Sequence, residues 1–394
     1  MKIHSVLING VLSALEEIFF TGRYADKVIE YVLRQHPKWG SRDRGFVASS
    51  TYDIVRHKRY LMHISGLEKL ESSEDLRKLL DIYLLWKNGD RLPDQSNRQN
   101  LAAEASPGIK YSFPDWFVEN LTADYGAAAE SILQSLNREA AVVLRTNTLK
   151  CTRSQLQRSL QEEDIYTKPL QVAEALELSA RKNVFQSKSF KLGWFEVQDT
   201  ASQEVGHFLQ SEPGMQVIDA CAGAGGKSLH LSALSKGKGR ILSMDVEAHK
   251  LEILKKRARR GGCGNIETRI ITDNKVIKRL AAKADRVLLD VPCSGSGVIR
   301  RNPDSKWKLS PEMIEDLKIK QYQILSQYAQ MVKQGGKLVY ATCSIFKQEN
   351  EAQVQKFLAE NDAFVLEHEQ TLLPDVYGYD GFYMARMKRK DSWD

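Results

Sequence analysis

Hydrophobic residues recur every three or four positions through the first third of the chain and follow a different pattern afterwards. Near the amino terminus, the spacing of Val6, Leu7, Val11, Leu12 and Leu15 is that of an amphipathic helix, and similar spacing continues to about residue 135. No convincing strand pattern occurs before residue 140. The pattern therefore predicts an all-helical first domain over residues 1–138.

From residue 139 onward, short β-rich runs alternate with helical stretches. Residues 139–205 read as a small α/β module, and the alternation continues over residues 206–394. Such alternation predicts a parallel sheet with right-handed crossovers and helices on both faces. The last two β-rich runs, FVLEHE and DGFYMARMKR, are separated only by a turn-rich loop. We therefore expect these two strands to pair antiparallel at the sheet edge.

The composition is that of a globular protein. Of its residues, 42% are hydrophobic and 27% are charged. Its length of 394 residues is enough for two or three domains. No apolar run approaches the ~18 residues that a membrane span needs. Glu16 and Glu17 interrupt the apolar start, which we interpret as an amphipathic helix of a cytoplasmic protein. We expect a monomer that does not bind membranes.

The five cysteines form no CxxC pair and no Cys/His ligand spacing. We therefore expect reduced thiols, with neither a metal site nor a disulfide framework. The net charge of +7 is compatible with a polyanionic partner but indicates one only weakly. Local clusters of charged residues indicate a binding surface better than the net charge does.

A glycine-rich turn, DACAGAGGKS, follows the first strand of the predicted parallel sheet and leads into a helix. Its glycines, Gly223, Gly225 and Gly226, let backbone amides approach a ligand, and the start of the helix adds partial positive charge. The spacing matches neither the phosphate-binding P-loop nor the dinucleotide fingerprint. With Asp219 ending the strand, the turn suits the carboxylate and ammonium groups of S-adenosylmethionine, although a nucleotide fits such a turn equally well.

Acidic residues also follow the next three predicted strands. Asp245 ends the second strand, where an acid commonly binds ribose hydroxyls, and Asp273 follows the third, where it can meet an adenine edge. Asp290 ends the fourth strand. Each aspartate taken singly is also typical of a helix cap or a turn. Three acids at successive strand ends nevertheless favour a ligand site.

Two cysteines occupy matching positions in the predicted sheet. Cys293 follows the fourth strand and Cys343 ends the fifth. Because neighbouring strands lie ~4.8 Å apart, both thiols are expected at one crevice. A thiolate that adds to carbon 6 of a pyrimidine makes carbon 5 able to attack a sulfonium methyl group, with Asp290 holding the cytosine edge. Lys227 or Arg300 would favour the thiolate. The alternative is two small buried side chains, as unpaired cysteines often are.

Taken together, these motifs resemble a known family. DACAGAGGKS, DVPCSGSGVIRRNPDSKW and YATCSIFKQENE are similar to the main motifs of the RsmB/Sun family of RNA (cytosine-5) methyltransferases, and the resemblance covers nearly the whole chain. It implies an α/β fold: a Rossmann-like class I methyltransferase domain with a seven-stranded, mostly parallel sheet, preceded by a connecting module and a NusB-like helical domain. It also implies methylation of cytosine in small-subunit ribosomal RNA with S-adenosyl-L-methionine as cofactor.

The resemblance assigns roles residue by residue. Cys343 becomes the nucleophile and Cys293 takes part in releasing the covalent RNA adduct, with Lys227 and Asp290 near the target base. Cofactor binding falls to Cys221, Ala222, Gly223, Ala224, Gly225, Gly226, Lys227, Asp245, Asp273 and Asp290. The chain departs from the family at one point, where Gly223 and Ala224 replace a common Ala-Pro pair. This change is expected to loosen the free loop.

Two clusters of cations are candidates for RNA contact. The segment after Cys293 is suited to phosphates and base stacking, and a basic run in the helical domain is either an RNA contact or a solvated helix face. The residues are Arg300, Arg301, Lys306 and Trp307 in the first cluster and Arg56, Lys58 and Arg59 in the second. Two alternatives to the ribosomal RNA enzyme stay open: a transfer-RNA cytosine-5 methyltransferase and a non-catalytic RNA-binding assembly factor.

Overall fold

The computed structural model describes residues 4–90 and 105–391. The chain separates into two compact units, one comprising Met1–Glu139 with Val298–Pro311 and the other Ala140–Gly297 with Glu312–Asp394. The three-domain division over residues 1–138, 139–205 and 206–394 remains a prediction. It does not anticipate that Val298–Pro311, which follows the first cysteine motif, belongs with the helical residues.

The described part of the first unit is helical. Its α-helices are Ser5–Phe20, Ala25–Gln35, Ser41–Arg56, Lys58–Ser65, Ser73–Asn88, Pro107–Lys110, Asp115–Tyr125, Ala129–Leu136 and Ser305–Lys308. Their apolar faces bury Val11, Leu15, Ile54 and Leu80 in one core, as the three- and four-residue spacing predicts. No helix in the described ranges of the chain has the length and hydrophobicity that crossing a membrane requires.

A small antiparallel sheet begins the second unit. It contains β1 (Val143–Thr146), β2 (Thr167–Pro169), β3 (Ala175–Leu178) and β4 (Phe195–Val197) in the order β2-β3-β1-β4. The helix Arg153–Gln161 follows β1, and the Thr152 hydroxyl caps it by accepting a hydrogen bond from Gln155 N. The sequence does not reveal β2 and β3, because runs of three and four residues are too short to show alternation.

The large sheet of this unit has seven strands in the order β10-β11-β9-β8-β5-β6-β7. They are β5 (Gln216–Asp219), β6 (Arg240–Asp245), β7 (Ile266–Ile270), β8 (Ala284–Asp290), β9 (Val332–Thr342), β10 (Phe364–Leu372) and β11 (Phe382–Arg389). Strands β5 to β9 run parallel, and β11 pairs antiparallel with both β9 and β10. The predicted α/β fold and the antiparallel edge are confirmed.

Helices connect and cover these strands. The remaining α-helices are Lys188–Lys191, Thr200–Phe208, Gly226–Leu234, Ala248–Gly261, Asn274–Lys278, Pro311–Tyr328, Glu351–Glu360 and Pro374–Tyr377. From β5 the chain builds outward through β6 to β7 and then crosses back to β8 and β9 on the other side of β5. The order thus reverses between β5 and β8, and the crevice at the carboxyl ends of strands at such a point is where open α/β sheets bind ligands.

Candidate active site

The glycine-rich loop leaves β5 at this reversal and leads into the helix Gly226–Leu234. Gly223 and Gly225 have φ values of +53° and +88°, in the left-handed region that favours glycine. At Gly225 a Cβ atom would also lie 2.5 Å from Leu254 Cγ, so both conformation and space require glycine. Gly223 N donates a hydrogen bond of 2.8 Å to Asp245 Oδ2. The loop is therefore held against the end of β6.

The two aspartates predicted to bind the nucleoside differ in their surroundings. Asp245 faces the loop and lines the cavity at the strand ends. Asp273 instead caps the helix Asn274–Lys278, its Oδ1 accepting hydrogen bonds from the backbone N of Lys275 at 2.7 Å and of Val276 at 3.3 Å. Asp273 is also absent from the residues that line the cavity. The geometry thus favours the helix-cap interpretation of Asp273 over an adenine contact.

A cavity of about 420 Å³ lies at the carboxyl ends of β5, β6 and β8. This volume is within the range of ~300–1,000 Å³ that small-molecule sites occupy. Cys221, Gly223, Asp245 and Asp290 line it, as predicted for a cofactor site. The sequence did not single out the other lining residues, which are apolar (Val246, Ile271, Val291, Pro292, Ile324 and Tyr328, with Ala220) or polar (Glu247, Lys250, Lys320, Gln323 and Gln327).

A second cavity of about 200 Å³ borders the same loop. It is lined by Ala222, Gly226 and Lys227 together with Gln198, which follows β4 of the small sheet. Cys221 and Asp290 line both cavities. The loop therefore separates two neighbouring spaces, and the side chain of Asp290 is accessible from each.

Lys227 and Asp290 form an ion pair between the loop helix and the end of β8. Lys227 Nζ lies 2.6 Å from Asp290 Oδ2, and only 9% of Lys227 is exposed. The ammonium also lies 5.2 Å from the centroid of the Phe382 ring, within cation–π range. The structure thus brings together the two residues that the resemblance assigns to the target base.

The two cysteines meet just beyond the ends of the adjacent strands β8 and β9. Cys343 comes directly after β9, and Cys293 lies three residues beyond the last residue of β8. Their Sγ atoms are 3.3 Å apart, and both are free thiols that are partly buried. The contact with Cys343 and burial together raise the pKa of Cys293 well above that of an ordinary thiol.

Two buried carboxyl groups support the site, and only the first of them, Asp219, was placed beside the glycine-rich turn by the sequence. Asp219 ends β5, and burial raises its pKa to about 7 while a hydrogen bond of 2.6 Å from Ser228 Oγ opposes this shift. Glu349 is completely buried and accepts hydrogen bonds from Ser294 and Ser344, which directly follow the two cysteines. An acidic residue in the motif YATCSIFKQENE was the available signal for Glu349.

Known proteins resemble the chain throughout this region. Residues 207–388 match the family model described as 16S rRNA methyltransferase RsmB/F, and residues 113–185 match the model of the ferredoxin-like domain of RsmF/B-like methyltransferases. A Vibrio cholerae protein named ribosomal RNA small subunit methyltransferase B is 32% identical, covering 83% of this chain and 77% of its own. The chain belongs to the RsmB/Sun family of methyltransferases.

Further relatives extend this family match to both ends of the chain. A Synechocystis protein named probable ribosomal RNA small subunit methyltransferase B is 29% identical over 95% of this chain and 97% of its own. The crystal structure titled PH0851 superposes with a TM-score of 0.81 at 25% identity, covering 99% of this chain and 100% of that one. The resemblance seen in the motifs is thus confirmed for the family, and the chain is a methyltransferase.

Several residues predicted to contact RNA in the RsmB/Sun chain are buried within the helical unit. Lys306 is fully buried, and its Nζ donates hydrogen bonds to Arg56 O at 2.8 Å and to Asn137 Oδ1 at 3.0 Å. Trp307 Nε1 donates to Val55 O at 2.7 Å. These contacts hold the segment Val298–Pro311 in the unit. The prediction of an RNA contact for Lys306 is therefore wrong in this structure, because its ammonium is shielded and already bonded.

The other predicted cations have mixed placements. Arg56 is buried and pairs with Asp53 Oδ1 at 2.8 Å, and Arg300 is likewise buried, so neither fits an RNA contact. Arg59 is partly exposed but pairs with Asp115 through both terminal nitrogens, at 2.7 and 2.8 Å. Burial lowers the pKa of Lys58, whose Nζ lies 4.8 Å from the centroid of the Phe19 ring. Arg301 is partly exposed, and an RNA contact for it stays a prediction.

One group of potential metal ligands occurs among the described residues. Ligand atoms of Glu174, His207 and His230 all lie within 4.8 Å of one another. A hydrogen bond of 2.9 Å between His207 and Glu174 raises the pKa of His207. None of the three lines either cavity beside the glycine loop. The group is thus no part of the candidate active site, and the expectation of a protein without metal stays a prediction.

Proposed function

We propose that this protein methylates carbon 5 of a cytosine in small-subunit ribosomal RNA through a covalent bond between Cys343 and the base. The observation that carries the proposal is the 3.3 Å distance between Cys343 Sγ and Cys293 Sγ. Cys293 directly follows Pro292, which lines the larger cavity. The names of the relatives from Vibrio cholerae and Synechocystis support ribosomal RNA as the substrate. The family's own chemistry at the matching motifs supports cytosine.

The residues around the larger cavity fit S-adenosylmethionine, which supplies the methyl group as an electrophilic carbon on sulfur. The loop amides and the start of the helix Gly226–Leu234 suit the carboxylate of the amino acid portion. Asp245, at the end of β6, is suited to the ribose hydroxyls. The apolar wall formed by Ile271 and Pro292 is suited to the adenine ring. We assign this cavity to the cofactor.

The first chemical step belongs to Cys343. Its thiolate adds to carbon 6 of the cytosine, and the resulting carbon–sulfur bond makes carbon 5 nucleophilic. Cys293 Sγ lies 3.3 Å from the Cys343 sulfur, close enough for its S–H to stabilise a thiolate there by a hydrogen bond. We assign Asp290 to the ring nitrogen and exocyclic amine of the base, where it would share the proton that the addition step requires. Lys227 holds this carboxylate at 2.6 Å.

The last step belongs to Cys293. After methyl transfer, a base must remove the proton on carbon 5, so that the electrons of that bond restore the double bond and expel the Cys343 thiolate. The contact with Cys343 is the largest cause of the raised pKa of Cys293. Once the Cys343 sulfur has become a thioether, that cause disappears and the pKa of Cys293 falls. Cys293 then gives its own proton to solvent, and its thiolate takes the proton from carbon 5 as Cys343 leaves as a thiolate.

The direct test is methylation of unmodified small-subunit ribosomal RNA, read by sequencing after bisulfite treatment. The wild-type protein with S-adenosylmethionine should protect a cytosine from conversion, and Cys343→Ala should lose at least ~10³-fold in rate, because an uncatalysed pyrimidine carbon 5 is a poor nucleophile. Absence of any protected cytosine would refute the function. Full activity in Cys343→Ala would refute the covalent route. A parallel reaction with unmodified transfer RNA separates the alternative substrate.

A separate variant tests the role of Cys293. Cys293→Ala still forms the bond between Cys343 and cytosine but lacks the group that starts its release. We therefore expect a protein–RNA adduct that survives denaturing electrophoresis and is absent from the double variant Cys293→Ala/Cys343→Ala. If Cys293→Ala gives no more adduct than the wild type, the release role belongs to another residue.

A further inference from the structure

Glu349 is a buried carboxylate that none of these chemical steps uses. Its side chain is 0% exposed, and a charge so placed is costly unless hydrogen-bond donors surround it. Its Oε1 accepts hydrogen bonds from the backbone N of Ser294 and from Gln321 Nε2, both at 2.9 Å. Its Oε2 accepts from the hydroxyls of Ser294 and Ser344. Glu349 thus has four donors, three of them from the residues that follow the two cysteines.

These hydrogen bonds join two loops that the sheet itself does not connect. Ser294 follows Cys293 after β8, and Ser344 follows Cys343 after β9. Their hydroxyl oxygens are 3.2 Å apart, and the Ser296 hydroxyl lies 2.9 Å from that of Ser344. Glu349 therefore ties together the serines that follow both thiols, and Gly297 N adds one backbone hydrogen bond of 2.9 Å to Cys343 O.

The neighbouring residue holds Cys343 from both sides. Asn350 Oδ1 accepts a hydrogen bond of 2.6 Å from Thr342 Oγ1, and Asn350 Nδ2 donates one of 3.0 Å to Ser344 O. Cys343 lies between these two bonded residues. Asn350 thus fixes the Cys343 turn by itself, whereas Glu349 fixes that turn relative to the loop of Cys293.

We propose that Glu349 is a positioning residue that keeps the thiols of Cys293 and Cys343 in contact. Paired strands are ~4.8 Å apart, and both cysteines lie beyond the paired ends of β8 and β9, where strand pairing no longer sets their separation. Glu349, which accepts four hydrogen bonds, helps to fix the distance between the two cysteine loops beyond the paired strands. The catalytic consequence rests on the proposed function, but the thiol contact can be measured without RNA or cofactor.

Disulfide formation by diamide measures this contact directly. The two thiols each give up a hydrogen atom, the azo group of diamide takes both and becomes a hydrazine, and a Cys293–Cys343 bond forms. Glu349→Ala should slow this closure at least ~10-fold, because the loops lose their common anchor and the thiols their high effective concentration. Mass spectrometry of the linked peptides gives the rate, and Cys343→Ala gives the background from the remaining cysteines.

The conservative variant distinguishes positioning from general damage. In Glu349→Gln the amide oxygen can still accept from Ser294 N and Gln321, and the amide nitrogen can donate to the two serine hydroxyls. Glu349→Gln should therefore close the disulfide within ~3-fold of wild type. It also removes a negative charge that raises the pKa of Cys293, so alkylation of Cys293 should shift to lower pH.

Glu351→Ala is the matched control from the same part of the chain. Glu351 begins the next helix and bonds to Thr371 Oγ1 at 3.1 Å, away from both cysteine loops. It should leave the closure rate unchanged. A closure rate in Glu349→Ala equal to that of wild type overturns the proposal, and if Glu349→Ala does not fold, an equal rate in Glu349→Asp, whose shorter side chain cannot reach both loops, overturns it instead.

Activity measurements separate this proposal from the proposed function. On ribosomal RNA, Glu349→Ala should lower kcat ~10 to 100-fold with little change in KM or in cofactor affinity, since misplacement of reacting groups acts on the chemical step. If wild-type protein methylates no ribosomal RNA yet closes its disulfide only with Glu349 present, the proposed function fails and the positioning role stands. A higher KM or a weaker cofactor affinity with an unchanged kcat would contradict the positioning role.

Discussion

Single residues at the strand ends owe their protonation to burial and to one another. Asp219 is the last residue of β5 and Cys293 follows the adjacent strand β8, and each has a raised pKa. For Asp219 the main cause is burial, and for Cys293 it is the contact with Cys343. The first shift comes from the fold alone, whereas the second depends on the neighbouring thiol as well as on burial. The same direction of shift thus has different causes at two neighbouring positions.

The shift at Asp219 makes stability depend on pH. Burial raises its pKa from the ordinary value of 3.8 to about 7, so the folded state holds this proton more tightly than the unfolded chain. The stability from this group is fully present below about pH 4 and is lost as pH rises through about 7. Asp219→Asn cannot ionise, and its Tm should fall less than that of wild type between about pH 5 and 8. Thermal melts in which the Tm of both proteins falls equally with pH would contradict this prediction.

At the scale of elements, the loop between β5 and the helix Gly226–Leu234 combines two kinds of glycine. Gly225 has φ +88° and faces Leu254 Cγ, whereas Gly223 has φ +53° and open space where a Cβ would lie. One position is restricted by both sterics and conformation, the other by conformation alone. The helix Ala248–Gly261, which carries Leu254, therefore restricts the shape of the glycine-rich loop.

Alanine at the two glycines should separate these causes. Gly225→Ala adds a clash to an unfavourable φ and should cost about 2 to 4 kcal/mol of unfolding free energy, whereas Gly223→Ala should cost about 1 kcal/mol. Cofactor affinity should fall more in Gly225→Ala, since the loop must shift to admit the methyl group. Urea unfolding and calorimetric titration measure both effects. Equal losses in the two variants would show that Leu254 does not restrict the loop.

At the scale of the whole molecule, the second unit joins its two sheets through the ends of two helices. Glu196 on β4 pairs with Arg260 and, at 3.0 Å, with Arg257, both on the helix Ala248–Gly261. Asn147, next to β1, donates a hydrogen bond of 2.7 Å to Gly261 O at the end of that helix. Arg145 on β1 donates to Gly226 O, where the helix after the glycine loop begins. The small sheet therefore supports the helices that shape the cofactor loop.

Removing the charge of Glu196 tests this connection. Glu196 is buried, so Glu196→Gln leaves two half-buried arginines without a countercharge and should lower the unfolding free energy by about 2 kcal/mol. Glu177→Gln on β3 is the control, because its partner Lys168 is 61% exposed, and such pairs contribute at most about 1 kcal/mol. Denaturant unfolding compares the two. A Glu196→Gln protein as stable as the control would mean that the sheets hold together without this charge.

The sequence by itself determined the features that depend on local periodicity and on strand order. Apolar spacing predicts the helical first part and the strands β5 to β9, because a buried face repeats along the chain with the period of its element. Once β8 and β9 are neighbours, Cys293 and Cys343 follow at one end of the sheet, and the structure brings their sulfur atoms to 3.3 Å. The glycine loop and Asp290 are positioned by the same reasoning.

Tertiary structure alone decided which charged side chains are available to a ligand. Lys306 and Arg56 look in the sequence like RNA-binding cations, yet both are buried within the helical unit. Asp273 caps a helix, and Glu349 binds the two cysteine loops. The residue type determines a side chain's charge. Its exposure and its partners depend on packing against residues far away along the chain. That is why the meeting of the two thiols was predictable and the groups that hold them in place were not.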